Sequence, residues 1–577
     1  MTMLYGRLDL LRDRTTRRLE QLFRQRGGTH QAVWERDAFV ARDVDRLERL
    51  SAVEPGLCFG RLDLTGGEHH YIGRIALSDD DYEQLLIDWR APAAAPFYRA
   101  TAASPGEVTR RRHIQTKRRR VLGVDDEVFG LDLPDGNGHA TLSGEAALLA
   151  SLRAPRTGRM HDIVATIQAE QDRIIRSDLR GILVVQGGPG TGKTVAALHR
   201  AAYLLYTHRD RLADRGVLVV GPNPTFLRYI EQVLPSLGET GVVLATLGDL
   251  FPGVSVTAAE PYAAAAEKGE LAMVDVLRSA VRNRQRVPRD GFEANLDGRT
   301  LWLPAETCAA ARTRARRSRR PHNQARAVFA RELLTALAAH YGGLLGYGDS
   351  MDEQALAAVR TDLGGEPDIE KAIDELWPVL TPQQVVAEAL GDPGRTEWTL
   401  ADIPLLDEAA ELLGEADAGP DAAAQRAAAE HEADVAFATE LLEQLDLDVP
   451  VDPALVVERY HGPARRSTTA QRAATDRTWA FGHVIVDEAQ ELSPMAWRMV
   501  MRRCPTRSMT LVGDLAQAAA PAAPQTWADA LEPHAPGRWR VEELTVNYRT
   551  PTEVMDVATG VLAEIDGSLQ PPQSVRS

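Results

Sequence analysis

Apolar residues in the first 53 positions recur in steps of three and four. One series runs from Leu4 to Leu22 and a second from Val33 to Leu47, with a pair of glycines between them. This spacing lines one face of each of two helices, and the glycines mark a turn. At 1.5 Å per residue, each arm would extend about 30 Å. The pattern predicts an antiparallel coiled coil over 1–53, which suits a packing hairpin and a rod that probes a channel equally well.

Residues 54–145 differ in character, because short apolar runs are broken by Gly, Pro and Asp. This composition predicts a small β-rich domain. The segment Asp88–Pro92 (Asp-Trp-Arg-Ala-Pro) has no evident catalytic role. The sequence favours a role in packing and ion pairing. The basic cluster between Arg110 and Arg120 is typical of the solvated face of a hairpin, with contact to nucleic acid as the alternative.

From residue 146 onward, short uncharged strands alternate with helical patterns. The strands are Gly181–Gln186, Val217–Val220, Val484–Val486 and Met509–Val512. This alternation predicts an α/β fold in which helices flank the parallel sheet of a RecA-like P-loop NTPase core. Motor domain 1A is expected at 146–253 and 478–540, and the start of a truncated motor domain 2A at 541–577.

Between the two parts of domain 1A lies a predicted helical insertion, 254–477, rich in Ala, Leu, Glu and Arg. Its later part is acidic over 402–448, and the Ala, Gly and Pro spacing at 414–424 favours a loop with little core. Two interpretations stay open for the acidic stretch. It is either a solvated linker or a loop that enters a basic, Mg²⁺-bearing cleft.

A phosphate-binding loop follows the first of these strands. It consists of Gly187, Gly188, Pro189, Gly190, Thr191, Gly192, Lys193 and Thr194. A strand before the glycines and a helix after them is the context that this motif requires. Backbone N–H groups and the helix N-terminus would surround the phosphates of ATP, and Lys193 would reach the β and γ oxygens. The Thr194 hydroxyl would bind Mg²⁺.

Polar residues that suit the same chemistry follow other strands. Asp487 and Glu488 end a buried strand; the first would hold Mg²⁺ through water and the second would act as general base. Gln517, after the next strand, can sense the γ-phosphate. Upstream of the loop, Gln171 can pair with both the donor and the acceptor edge of adenine.

Composition limits the class of protein. The chain has 577 residues, a net charge of −16 and three widely spaced cysteines. These features predict several domains, no membrane span, no structural zinc and a cytoplasmic location. A protein that tracks along nucleic acid gains affinity by neutralising phosphates with Lys and Arg, so the acidic balance favours a protein partner with a basic channel.

Taken in order, the motifs resemble those of superfamily 1 helicases of the UvrD/Rep type. The elements VDEAQ, VGDLAQ and NYRT carry the resemblance. It implies an ATPase with ATP and Mg²⁺ as cofactors, in which Tyr548 stacks on adenine and Arg549 is the arginine finger. Val195 stands where many relatives have an Arg that helps to sandwich the base, so the preference for ATP or GTP stays open.

The N-terminal hairpin, the segment from Asp88 to Arg99, the motor core and the stretch Trp398–Gly414 together resemble the HelD family of RNA polymerase recycling factors, in its actinobacterial class. The resemblance implies 1:1 binding to RNA polymerase core enzyme. The 1–53 arm would enter the secondary channel and the 254–477 insertion the primary channel. ATP-driven movement would release polymerase from nucleic acid, with indirect or weak contact to DNA and a contribution to rifampicin tolerance.

Two other functions stay open. A superfamily 1 DNA helicase or repair translocase would share the same nucleotide site. A non-hydrolysing polymerase-binding module is the third interpretation, because only 28 residues follow Arg549 and the later motifs of the second motor domain are not among them.

Overall fold

The structure is a computed structural model. It describes residues 1–24, 30–54, 56–100, 104–117, 119–129, 168–212, 214–231, 242–296, 298–345, 353–414, 473, 476–565 and 572–576. The chain divides into two compact units. Unit 1 comprises Met1–Pro252, Glu458–Leu492 and Val500–Ser577, and unit 2 comprises Gly253–Val457 and Ser493–Met499. The finer domain boundaries proposed from the sequence stay predictions.

Unit 1 begins with two helices, α1 (Thr2–Arg24) and α2 (His30–Ala52). They run antiparallel. Arg12 donates to the carbonyl oxygen of Leu50 at 2.7 Å, and Arg18 forms an ion pair with Asp43 at 2.8 Å. The two predicted helices are therefore present, while their packing as a coiled coil stays a prediction.

A six-stranded sheet follows the hairpin, in the order β3-β4-β2-β1-β5-β6. The elements are β1 (Cys58–Leu64), β2 (His69–Gly73), β3 (Leu77–Ser78), β4 (Gln84–Asp88), a 3-10 turn (Pro92–Ala94), α3 (Ala95–Arg99), β5 (Val108–Lys117) and β6 (Arg120–Val128). Neighbouring strands are antiparallel except β2 and β4. Leu4 and Leu8 of α1 pack with Leu57 and Leu86, so the base of the hairpin is fixed to this sheet.

Part of the basic cluster of the first sheet lies on the β5–β6 hairpin and is paired with acids on adjacent strands. Arg112 pairs with Asp126 at 2.6 Å, and Arg111 pairs with Glu127 on the same neighbouring strand. Arg110 donates to Asp63 of β1 at 2.5 Å. The hairpin interpretation is confirmed for these arginines, because acids on adjacent strands already use their charge.

The second sheet of unit 1 has six parallel strands in the order β14-β7-β13-β12-β8-β9. Its strands are β7 (Ile182–Gly187), β8 (Val217–Gly221), β9 (Val242–Thr246), β12 (His483–Val486), β13 (Met509–Gly513) and β14 (Trp539–Leu544). The helices along this part of the chain are α4 (Ala169–Ile175), α5 (Lys193–Thr207), α6 (Arg209–Leu212), α7 (Pro224–Glu231), α16 (Pro494–Arg503) and α17 (Trp527–Leu531). The residues of α16 up to Met499 belong to unit 2. The buried strands read as continuous apolar runs, as expected for parallel strands covered on both faces. The predicted mixed α/β fold with a parallel sheet flanked by helices is confirmed.

Unit 2 is mainly helical. Its elements are α8 (Tyr262–Gly269), α9 (Ala272–Asn283), the hairpin β10 (Phe292–Leu296) and β11 (Arg299–Leu303), α10 (Ala305–Arg317), α11 (His322–Leu344), α12 (Glu353–Gly364), α13 (Pro367–Leu376), α14 (Pro382–Ala389) and α15 (Asp402–Leu413). A core around Phe329, Leu337 and Trp377 joins the hairpin to the helices. Across both units, none of the helices that the structure describes is long and apolar enough to cross a membrane.

The last described elements are β15 (Val546–Pro551), α18 (Thr552–Ile565) and β16 (Gln573–Arg576). The two strands pair in parallel, and the helix connects them in the sequence. The side chains of Tyr548 and Arg549 lie outside the described residues, although their backbone belongs to β15. Their predicted contacts with the base and the γ-phosphate therefore stay predictions.

The structure corrects the expected acidic loop over part of its length. Asp402 is buried and forms ion pairs with Lys268 at 2.7 Å and Arg395 at 2.6 Å. Glu408 is also buried and pairs with Arg498 at 2.7 Å. The prediction of a free acidic loop is wrong for 402–413, because these acids are part of α15 and their partners lie elsewhere in unit 2. The acids at 415–448 lie outside the described residues.

Candidate nucleotide site

The predicted site residues converge because of the strand order. In a parallel sheet, all carboxyl ends lie at one edge, where ligands bind in open α/β folds. Strand β13 lies between β7 and β12. The loop after β7, the acids after β12 and the segment after β13 therefore meet at one edge, although insertion residues separate them in sequence.

The glycine-rich loop is a tight connection between β7 and α5. Gly190 and Gly192 have φ values of +79° and +80°, a left-handed conformation that glycine adopts without a steric cost. A Cβ atom at Gly192 would also come within 2.6 Å of Gln171 Nε2. Since α5 begins at Lys193, the unpaired N–H groups of its first turn face the loop.

Lys193 is held inside this loop. Its Nζ donates to the carbonyl oxygens of Gly187 at 2.5 Å and Gly188 at 3.2 Å. Burial lowers the pKa of Lys193, and the carboxylates of Asp514, Glu488 and Asp487 act in the opposite direction. The ammonium group is thus partly desolvated among three acids, where it is well placed to attract an anion.

Thr194 and Asp487 are brought together from positions 293 residues apart. The Thr194 hydroxyl donates to Asp487 Oδ2 at 2.8 Å. Burial raises the pKa of Asp487 to about 6, with the nearby Glu488 as a smaller cause in the same direction. Two hard oxygen atoms in contact, one of them a buried carboxylate, form the kind of partial ligand set that Mg²⁺ completes with water and phosphate oxygens. The described residues contain no group of three or more His, Cys, Asp or Glu that could hold a metal ion alone.

Glu488 is held in an unusual backbone conformation. Its φ is +51°, in the left-handed region that non-glycine residues rarely adopt. Strain of this kind persists where surrounding contacts enforce it, and it concentrates at functional sites. Here the Gln490 amide donates to Glu488 Oε2 at 2.8 Å, which fixes the direction of the carboxylate.

A chain of hydrogen bonds links this carboxylate to the segment after β13. Gln490 Oε1 accepts from the backbone N–H of Asp514 at 3.1 Å, and Gln517 Nε2 donates to Asp514 Oδ2 at 2.5 Å. A Cβ atom at Gly513 would come within 2.3 Å of Gln490 Oε1, so this close approach requires glycine. Gln490 and Asp514 therefore connect the expected base to the expected sensor.

Sequence reasoning assigned no role to Gln490, Asp514 or Gln186. Gln186 donates to Asp514 Oδ1 at 2.9 Å and accepts from Trp527 Nε1 at 2.9 Å. The available signal was positional, because each of the three polar residues stands at or just past the end of an apolar strand. Their partners are distant in sequence, so spacing alone did not pair them.

Gln171 lies beside the loop and is almost fully buried. Its Nε2 donates to the carbonyl oxygen of Thr191 at 3.3 Å, and its Oε1 accepts from the backbone N–H of Gln168 at 3.4 Å. The side chain thus joins the start of α4 to the glycine-rich loop. Its predicted role in binding adenine stays a prediction.

The segment Asp88–Pro92 holds the helix that begins at Lys193. The Trp89 ring meets His199 of α5 edge-on, with ring centroids 5.6 Å apart, and the Arg90 guanidinium lies 4.7 Å from the centre of the Tyr206 ring. Arg90 is buried and forms two hydrogen bonds with Asp88 at 2.8 and 2.7 Å. The predicted role in packing and ion pairing is confirmed.

The fold and the site define a mixed α/β protein with a Rossmann-like parallel sheet and a cluster of polar side chains at its carboxyl edge. Residues 1–141 match the family model described as DNA helicase IV HelD, N-terminal domain. This part, about a quarter of the chain, is similar to the N-terminal domain of HelD helicases. No curated protein matches the chain. The UvrD-like core and the actinobacterial class stay predictions.

Proposed function

We propose that this protein is an ATP-dependent motor that binds RNA polymerase core enzyme in the cytoplasm and releases it from nucleic acid. The observation that carries the motor part of the proposal is the 2.8 Å hydrogen bond between Thr194 and Asp487 beside the first turn of α5. It brings two Mg²⁺-type ligands next to the glycine-rich loop. The polymerase part rests on the HelD match over residues 1–141.

The residues at the carboxyl edge fit a nucleoside triphosphate with Mg²⁺. Thr194 and Asp487 would hold the metal, which supplies charge neutralisation for the transferred phosphoryl group. Lys193 and the N–H groups at the start of α5 would bind the phosphates. All these groups belong to unit 1.

The chain's own groups then have separate tasks. Glu488, oriented by Gln490, would accept a proton from the attacking water. Gln517 would register the γ-phosphate, and its contact with Asp514 would pass a change through Gln490 to Glu488. Arg549 would add positive charge at the γ-phosphate, as the helicase resemblance implies.

The polymerase-binding elements would be the helical hairpin and unit 2. The hairpin base is fixed to the first sheet, and that sheet is followed by the segment that packs on α5. A change at the start of α5 could therefore move the hairpin as a lever. We propose that the hairpin enters the secondary channel and the insertion the primary channel, in a 1:1 complex.

One experiment tests this function against its alternatives. ATP hydrolysis is measured alone, with single-stranded DNA and with core polymerase, and polymerase capture is measured by pull-down. We expect hydrolysis and capture for the wild-type chain. Lys193→Ala should lose hydrolysis by orders of magnitude and keep capture, whereas Lys371→Ala, at an exposed lysine of unit 2, should change neither.

The other outcomes identify the alternatives. Hydrolysis stimulated by single-stranded DNA without polymerase capture would support a DNA helicase or repair translocase. This is the second candidate, because residues 1–141 are similar to the N-terminal domain of a DNA helicase. Capture without turnover under any condition would support a non-hydrolysing binding module. Absence of both activities would exclude the proposal.

A further inference from the structure

A concentrated basic surface lies in unit 2, although the whole chain has a net charge of −16. Between Arg278 and Arg331 the sequence contains fourteen arginines, no lysine and only four acidic residues. Six of these arginines lie on or just beyond the C-terminal parts of α9 and α10. We call them the arginine ridge: Arg282, Arg312, Arg316, Arg317, Arg319 and Arg320.

Contacts between the two helices hold the ridge together. Arg316 donates from Nε to Gln285 Oε1 at 2.6 Å and from Nη2 to the carbonyl oxygen of Arg282 at 3.3 Å. Arg312 donates to the carbonyl oxygen of Gln285 at 3.4 Å. Part of the charge thus has a structural role, because cations at a helix C-terminus complement its dipole.

This structural role leaves most of the ridge charge uncompensated. Other arginines of unit 2 have acidic partners: Arg314 pairs with Glu332 at 2.5 Å, Arg326 with Asp374 at 2.5 Å and Arg284 with Glu388 at 2.7 Å. Among the residues that the structure describes, no carboxylate forms such an ion pair with a ridge arginine. Burial lowers the pKa of Arg316, and the like charges of Arg312 and Arg282 lower it further.

The surroundings of the ridge indicate which kind of anion it would bind. Arg282, Arg317, Arg319 and Arg320 are exposed, and from 303 to 343 the described residues present no exposed large apolar side chain. Protein interfaces depend on apolar or aromatic anchors clustered at their centre, and α10 presents none; Val276 of α9 and Trp302 of β11 are exposed as single residues. A phosphate backbone needs only cations, and the planar guanidinium group matches its oxygens.

We propose that the arginine ridge binds the phosphodiester backbone of nucleic acid without reading its sequence. The surface lies wholly within unit 2 and uses no residue of the nucleotide site. It gives an acidic protein a local region of opposite charge where a polynucleotide gains affinity by releasing its counterions.

The test measures binding of a labelled single-stranded oligonucleotide to the full chain by fluorescence anisotropy, without ATP and at several salt concentrations. The variant Arg317→Glu with Arg320→Glu should bind at least about tenfold more weakly. Its plot of log binding constant against log salt should be less steep by about 1.4, since each lost single-strand phosphate contact contributes about 0.7. The control is Arg209→Glu with Arg211→Glu, which makes the same charge change at exposed arginines of α6 in unit 1 and should bind like wild type.

Three results would overturn the proposal: no oligonucleotide binding by the wild-type chain, equal weakening in both double variants, or displacement of the oligonucleotide by poly-glutamate at equal charge concentration. The last would assign the ridge to an acidic protein surface. Because the assay contains neither ATP nor polymerase, its failure leaves the proposed motor function untouched, and failure of that function leaves this result intact.

Discussion

At the scale of single residues, the candidate site combines desolvated charge with closely spaced polar contacts. Burial raises the pKa of Asp487 and lowers the pKa of Lys193, so both shifts favour the neutral form of the side chain. Such perturbed groups in contact at a sheet edge are typical of functional sites. Burying the charged carboxylate of Asp487 lowers the stability of the fold. Removing this charge should therefore stabilise the protein and at the same time impair ligand binding.

Replacement of Asp487 tests this conflict between stability and binding. With a pKa of about 6 in the folded chain and about 3.9 in the unfolded chain, the ionised carboxylate costs up to about 3 kcal/mol at pH 7. Asp487→Asn should therefore raise the free energy of unfolding by about 1 to 3 kcal/mol in urea titrations. The same variant should lose Mg²⁺-dependent nucleotide affinity by at least about tenfold. A variant that is both less stable and unchanged in binding would contradict the argument.

Burial also gives His199 a pKa shift, in the direction opposite to that of Asp487, and this shift predicts a pH dependence of stability. Burial lowers its pKa to about 4 in the folded chain, against about 6.5 in the unfolded chain. Because the unfolded chain binds the proton more readily, the stability that neutral His199 contributes is complete above pH 6.5. It falls as the pH decreases toward 4, by about 2 kcal/mol at pH 5.

The measurement compares free energies of unfolding at pH 7.5 and pH 5. The loss between them should shrink by about 2 kcal/mol in His199→Gln. His69→Gln, at an exposed position on β2, should keep the wild-type difference. The buried His483 has a pKa lowered in the same direction and will retain part of the effect in both variants.

At the scale of elements, one short segment and one arginine position the two helices that lie beside the glycine-rich loop. The segment Asp88–Pro92 holds α5 through Trp89 and Arg90, so it orients the helix whose first turn faces the glycine-rich loop. Arg176, just after α4, donates to the carbonyl oxygen of Trp89 at 2.8 Å and extends the contact to the helix that carries Gln171. Both helices next to the candidate nucleotide site are thereby connected to the sheet that supports the hairpin.

Asp402 of α15 allows a test of whether the acids at 402–413 are structural ion-pair partners. Burial acts to raise the pKa of Asp402, but hydrogen bonds from Lys268 and Thr399 outweigh it and lower the pKa. Asp402→Asn leaves Lys268 and Arg395 without part of their compensating charge, so we expect unit 2 to lose about 3 kcal/mol of stability. Thermal unfolding should show the loss, and Glu397→Gln, at an exposed position, should not. Normal stability combined with impaired release of polymerase would instead support the sequence-based prediction that Asp402 belongs to a free acidic loop.

At the scale of the whole molecule, the residues of the candidate nucleotide site all belong to unit 1, although the sequence of that unit is interrupted by unit 2. Ligand binding stabilises only the state that contains the site. Mg²⁺ with ATP at about 100 times its dissociation constant should stabilise unit 1 by about 2.7 kcal/mol. Hydrogen exchange should show this protection in the strands β7, β12 and β13. Lys193→Ala should abolish it, and equal protection of β10 and β11 in unit 2 would contradict a confined site.

Much of the architecture was predictable because its signals are local. The helices of the hairpin follow from apolar steps of three and four, and the parallel strands follow from short uncharged runs. The glycine-rich loop was recognisable because its conformation demands Gly190 and Gly192 at fixed spacing. The placement of Asp487 and Glu488 near that loop followed from their position at the end of a buried strand.

The sequence by itself therefore determined the classes of secondary structure, the glycine-rich loop and the polar residues at strand ends. Tertiary structure alone decided which charges are free. The arginines of β5 and the acids at 402 and 408 are neutralised by partners on other elements, while the arginine ridge lacks such partners among the described residues. The physical reason is range: backbone conformation depends on neighbours along the chain, whereas the state of a charge depends on whatever the fold brings within a few ångströms.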